Sequence, residues 1–93
     1  MKLHRYWFKF ALTLSDPHPP GTLLGCGVTA YSQEDAVALV VEKVFTKIPL
    51  PAIESVQEDV DISTLDAGHV RPNMGNVLKR GIWFPIGYDW PMY

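Results

Sequence analysis

The side chains best suited to binding or chemistry lie in an irregular stretch between residues 69 and 83. It supplies a histidine that titrates near neutral pH and two arginines that can hold a carboxylate or phosphate through paired hydrogen bonds. It also contains methionine and tryptophan, which are enriched at the centres of protein interfaces. The candidate interface residues are His69, Arg71, Asn73, Met74, Asn76, Arg80 and Trp83.

Two interpretations of this stretch remain open. The structural one is a packed loop, because asparagines tolerate left-handed backbone, Gly75 supplies positive φ, and long loops in compact domains are commonly packed. The functional one is a binding surface of arginine and asparagine donors beside Met74. In a second form of the functional interpretation, His69 acts as acid or base while Arg71 and Arg80 clamp a small anionic ligand.

A second candidate binding face lies on the first predicted strand. Arg5, Trp7 and Lys9 alternate along it, so the three side chains share one side. If the helix covers the opposite side, we expect the Trp7 face to be open. Such a row suits single-stranded nucleic acid, although the acidic net charge favours a homodimer or another protein as the occupant.

We find no catalytic constellation, metal site or cofactor motif. Cys26 lies inside a predicted strand, where a cysteine ordinarily acts as a small hydrophobic residue. No Gly-x-Ser-x-Gly turn is present, and no two histidines have metal-ligand spacing. Asp59 and Asp61 are best interpreted as charges that protect an exposed strand. These observations favour a protein that is not an enzyme.

Alternating apolar residues, together with prolines and glycines that end or interrupt strands, define the elements that position these residues. Nearly complete period-two alternation over residues 3–14 predicts a strand, and the proline-rich residues 15–21 end it. Residues 22–31 predict a second strand, in which Gly25 and Gly27 could admit a bulge or a closely packed neighbour. Two further strands are expected at the positions 52–62 and 81–88, and Pro85 indicates that the last one has an edge position or a bulge.

A helix is predicted to begin after Ser32, whose hydroxyl can accept a first-turn amide, and to stop at Pro49. Its apolar residues recur at spacings of three and four. The expected apolar stripe consists of Val37, Val40, Val41, Val44, Phe45 and Ile48. The element order β-β-α-β-β predicts an α+β sandwich, with a mostly antiparallel four-stranded sheet and the helix packed on one face.

Size, charge and cysteine content limit the function. The 93 residues suit one α+β domain spanning positions 1–93, and 47% hydrophobic content is enough for a core. A net charge of -2 makes duplex DNA an improbable partner. The single cysteine indicates a cytoplasmic setting, and the sequence shows neither a signal peptide nor an apolar run of membrane-spanning length.

The sequence therefore predicts a small protein-interaction module without catalytic activity. An inhibitor or immunity-type antagonist, an accessory subunit and a self-associating domain all fit that description. The alternatives are a small enzyme or anion-binding domain that uses the 69–80 loop, and a single-stranded nucleic-acid binder that uses the Arg5, Trp7 and Lys9 face.

Overall fold

The structure, a computed structural model, describes residues 2–13, 15–16 and 21–86. Its elements follow the predicted order β-β-α-β-β, which confirms the α+β class. They are β1 (His4–Phe10), β2 (Cys26–Ala30), α1 (Gln33–Lys43), β3 (Ile53–Glu58) and β4 (Gly81–Phe84). Two short 3-10 turns, Ile62–Thr64 and Arg71–Asn73, lie between β3 and β4.

The four strands form one antiparallel sheet in the order β3-β1-β2-β4. In the predicted hairpin, Tyr6 lies opposite Val28 and Phe8 lies opposite Cys26. The edge position predicted for the last strand is confirmed, since β4 pairs with β2 and ends just before Pro85. All four strands are shorter than predicted, and residues 87 and 88 of the expected last strand lie outside the described residues.

Helix α1 begins as the sequence predicts, and every residue of the predicted stripe except Val41 is buried in or packed against the main core. The Ser32 hydroxyl accepts a hydrogen bond from the Asp35 N–H at 3.1 Å, which satisfies one of the free first-turn amides. The buried helical residues are Ala36, Leu39 and Val40, whereas Val41 is 45% exposed. The predicted stripe was therefore wrong at Val41. Among the described residues, no helix has the length and apolar character needed to cross a membrane.

The main core fills the space between α1 and one face of the sheet. It contains the β1 aromatics Tyr6, Phe8 and Phe10, and Phe10 meets Phe45 edge to face at 5.1 Å between ring centroids. Small residues of β2, including Cys26, lie beneath the helix. Because side chains alternate along a strand, this arrangement sends Trp7 to the opposite face.

Candidate interaction surfaces

The irregular chain between β3 and β4 covers the second face of the sheet. Val60 and Val70 are fully or almost fully buried against Trp7, Trp83 and Phe84, in a cluster separate from the main core. Further side chains from this segment pack against the cluster, namely Ile62, Leu65, Met74 and Val77. We call residues 60–78 the cover segment. The long irregular stretch therefore has a structural role, because it covers the second face of the sheet.

Several hydrogen bonds hold the cover segment in place. The Gly75 N–H donates to the Trp83 carbonyl at 2.7 Å, on the side of β4 that faces away from β2. The Asn73 carbonyl accepts the Ile86 N–H at 3.0 Å. The Thr29 hydroxyl donates to the Val77 carbonyl at 2.6 Å, which ties the end of the segment to β2. The cover segment, whose only regular elements are two short 3-10 turns, is therefore fixed at several points.

This packing corrects the expectation of an open Trp7 face. Trp7 is only 7% exposed and stacks on Trp83 at 5.9 Å between ring centroids. The Arg5 Nε donates to the Val60 carbonyl at 3.4 Å, and Lys9 remains exposed. The three residues therefore do not present a continuous row with an aromatic platform in this structure. No local pattern in residues 60–78 indicates that the cover segment lies across them.

The residues of the candidate interface loop fall into three classes of exposure. His69, Arg71, Asn76 and Arg80 are exposed, Asn73 and Met74 are half-buried, and Trp83 is fully buried. Trp83, which was predicted to be an anchor beside the loop, therefore lies inside the cluster formed with Trp7 and is not exposed in this structure. Its indole Nε1 is buried and has no hydrogen-bond partner among the described residues.

Arg80 is engaged in a hydrogen-bonded ion pair within the chain. Its guanidinium donates two bonds to the Asp35 carboxylate, Nε to Oδ2 at 2.9 Å and Nη2 to Oδ1 at 2.5 Å. The guanidinium also lies 5.8 Å from the centroid of the Tyr31 ring. The Arg80 side-chain hydrogen bond, followed by that from the Tyr31 N–H, lowers the pKa of Asp35 to about 2. This pairing fixes Arg80 against α1.

His69 and Asn73 also make contacts inside the loop. The His69 Nδ1 lies 2.9 Å from the Asp66 Oδ2, and the Asn73 amide donates to the His69 carbonyl at 2.8 Å. The Gly68 N–H, followed by the His69 side chain, lowers the pKa of Asp66 through hydrogen bonding. These bonds set the shape of the loop and leave the His69 side chain largely in solvent.

Sequence reasoning missed Leu78, which is 75% exposed and is the most exposed large hydrophobic residue in the described chain. Its N–H donates to the Asn76 Oδ1 at 2.9 Å. The preceding Val77 is bonded to β2, and Arg80 is bonded to α1. A single leucine within a polar stretch was the available signal, but its exposure depends on Val77 turning inwards beside it.

Cys26 is buried, and three depressions in the described surface are lined by residues other than those of the anion-binding alternative. Burial raises the pKa of the Cys26 thiol, as expected for an apolar environment. Depressions in the described surface lie along the start of α1, beside the end of β4 and near Pro49. Those three depressions are not lined by His69, Arg71 or Arg80.

One histidine and two carboxylates do come together at the end of β3. Ligand atoms of His4, Glu58 and Asp59 lie within 4.8 Å of one another. The His4 Nδ1 is 3.0 Å from the Asp59 Oδ1 and 3.7 Å from the Glu58 Oε2. Hydrogen bonding of the imidazole to its neighbouring carboxylates accounts for this arrangement, so we assign no metal to it.

Comparison with known proteins gives no family. No protein-family model matches the chain, and neither the curated proteins nor the solved structures contain a match.

Proposed function

We propose that this chain is a small protein-interaction module that binds its partner through the exposed side of the cover segment and the turn that follows it. We call this side the loop surface. Its exposed residues are His69, Arg71, Asn76, Leu78 and Lys79. The observation that carries the proposal is Leu78, a leucine left 75% exposed on a turn whose two ends are held by the rest of the fold.

A leucine fixed in this way is suited to act as an interface anchor. Complete burial of a leucine side chain is worth about 1.5–3 kcal/mol, so solvent exposure leaves a substantial free-energy gain for a partner. The bonds of Val77 to Thr29 and of Arg80 to Asp35 order the turn before binding. Less conformational entropy is then lost on association than for a mobile loop.

The charge around Leu78 indicates what kind of partner fits. Lys79 follows it directly, and Arg71 and His69 are exposed on the same cover segment. Asp66 is the last acidic residue before Leu78 in the sequence, and its carboxylate faces the His69 ring. A partner that offers an apolar pocket with acidic residues at its rim would complement both features of the loop surface.

The test compares four baits, namely the original chain, Leu78→Ser, Arg71→Ala and Val41→Ser, in affinity capture from lysate of the source cells. Val41 is the control because it is also an exposed aliphatic residue but lies on α1. The captured protein is then titrated as a purified component. We expect Leu78→Ser to weaken binding on the order of tenfold to a hundredfold, and Val41→Ser to leave it unchanged.

Far-UV circular dichroism must first show that every variant is folded. Sedimentation velocity on the same set tests whether the bound protein is a second copy, because Leu78→Ser would then shift the chain from dimer to monomer. A partner that binds Leu78→Ser as well as the original chain would contradict the proposal. The proposal would also be contradicted if the original chain captured no protein and was itself monomeric.

A further inference from the structure

Strand β3 forms the edge of the sheet that the described residues leave uncovered. At the opposite edge, the Gly75 N–H already occupies the outward carbonyl of Trp83 in β4. Beyond β3, the order β3-β1-β2-β4 places no further strand. An uncovered edge presents unpaired backbone donors and acceptors, which another extended chain can use.

Hydrogen bonds at the two ends of β1 show which of its backbone groups face β3. The Arg5 carbonyl accepts the Val60 N–H at 3.1 Å, and the Ala11 N–H donates to the Ala52 carbonyl at 2.9 Å. Backbone groups of successive residues point to alternate sides of a strand. The odd-numbered residues of β1 therefore direct their N–H and carbonyl groups towards β3.

The register of β3 then identifies its outward groups. Trp7 lies opposite Gln57, and Lys9 lies opposite Ser55, so these two residues of β3 direct their backbone groups inwards to β1. Alternation turns the N–H and carbonyl of the intervening Val56 away from the sheet. The Val56 side chain packs on the main core, which holds this outward-facing peptide group in place.

The charge on this edge is acidic. Glu54 and Glu58 are exposed on β3 itself, and Asp59 and Asp61 follow within three residues. Antiparallel pairing of two copies about Val56 would bring Glu54 of each chain opposite Glu58 of the other, and like charges in direct opposition destabilise a strand pair. The same carboxylates repel the phosphates of nucleic acids. The acidic edge therefore disfavours both a second copy of this chain and a nucleic acid.

We infer that the outer edge of β3 receives a basic, extended polypeptide segment, which adds to the sheet as a fifth strand. Main-chain hydrogen bonds centred on Val56 supply the pairing, and lysine or arginine side chains of the segment face Glu54 and Glu58. This site is separate from the loop surface and does not depend on the function proposed for that surface.

The probe is an acetylated and amidated peptide of sequence Lys-Thr-Lys-Val-Lys-Thr-Lys, titrated while amide hydrogen exchange is followed by nuclear magnetic resonance. In the free chain, the Val56 amide should exchange faster than the inward-facing Gln57 amide. At a peptide concentration ten times the dissociation constant, exchange at Val56 should slow roughly tenfold, because only the unbound fraction remains open.

Two modified peptides separate strand pairing from simple charge attraction. Replacement of every lysine by glutamate should abolish binding. N-methylation of alternate peptide nitrogens keeps the charge but removes the pairing donors, so it should also abolish protection at Val56. Equal binding of the N-methylated peptide would overturn the inference, as would protection that maps to residues outside β3.

Matched charge reversals test the acidic side chains. The double variant Glu54→Lys with Glu58→Lys should weaken peptide binding roughly fivefold to tenfold. Glu34→Lys with Glu42→Lys makes the same change in net charge on exposed positions of α1 and should leave the affinity within about twofold. Equal losses from the two double variants would mean that overall charge, and not the β3 edge, attracts the peptide, and would overturn the inference.

Discussion

At the scale of single residues, Gly27 shows how the second face of the sheet is closed. A Cβ atom at this position would overlap the six-membered ring of Trp83. Trp83 in turn stacks on Trp7 beneath the cover segment. Gly25 and Gly27 were predicted to admit a bulge or a closely packed neighbour, but the neighbour could not be identified, because Trp83 lies more than fifty positions away in the chain.

We expect Gly27→Ala to lower the free energy of unfolding by about 1–3 kcal/mol, since the added methyl group must displace a rigid, fully buried ring. Urea unfolding followed by circular dichroism measures the change. Gly68→Ala is the matched control, because its added Cβ would meet the Asp66 Oδ1 at an ordinary 3.6 Å. Equal stability of the two variants would contradict the close packing described for Trp83.

At the scale of elements, the Asp35 carboxylate joins three parts of the chain. It accepts the Tyr31 N–H at the end of β2, belongs to the first turn of α1, and binds Arg80 just before β4. Arg80 was predicted to be a donor for a partner. The structure places its guanidinium on Asp35, where it fixes one end of the turn that carries Leu78.

This junction predicts a dependence of stability on acid. The pKa of Asp35 is lowered from 3.8 to about 2, so its contribution is present above pH 3.8 and is lost as the pH falls towards 2. We expect Asp35→Asn to flatten the curve of unfolding free energy against pH between about pH 4 and 2. Chemical unfolding at a series of pH values in this window measures the slope.

Arg80→Gln provides the complementary test, because it removes the largest cause of the shift and should flatten the same part of the curve. The double variant should add little to either single change, since both remove one interaction. A variant set that keeps the original slope between pH 4 and 2 would show that this ion pair does not couple to folding.

The elements predicted most reliably from sequence were those with local periodicity. The hairpin of β1 and β2 follows from alternation, and the start of α1 follows from Ser32. The cover segment could not be predicted as a packed layer, because Val60 and Val70 are isolated apolar residues without a helical or strand period. Exposure of Leu78 and burial of Trp83 both depend on that long-range packing, so the candidate surface was only partly identified.

At the scale of the whole molecule, two apolar clusters share one sheet. The main core lies between the sheet and α1, and the second cluster lies between the sheet and the cover segment. Strand β1 contributes alternate residues to both, with Phe8 in the first and Trp7 in the second. Unfolding of β1 would disrupt both clusters at once. We therefore expect the main core and the second cluster to unfold together.

Two optical probes can test this coupling, because α1 dominates the far-ultraviolet circular dichroism while Trp7 and Trp83 report on the second cluster through fluorescence. Trp90→Phe removes the third tryptophan, which lies outside the described residues. In this background we expect the two thermal transitions to coincide, as for a two-state domain.

Val70→Ala should lower both midpoints equally, since it truncates a buried side chain of the cover segment. If the fluorescence transition alone moved to lower temperature, the cover segment would be a separately melting layer, and the loop surface would lose the fixed geometry on which its proposed binding depends.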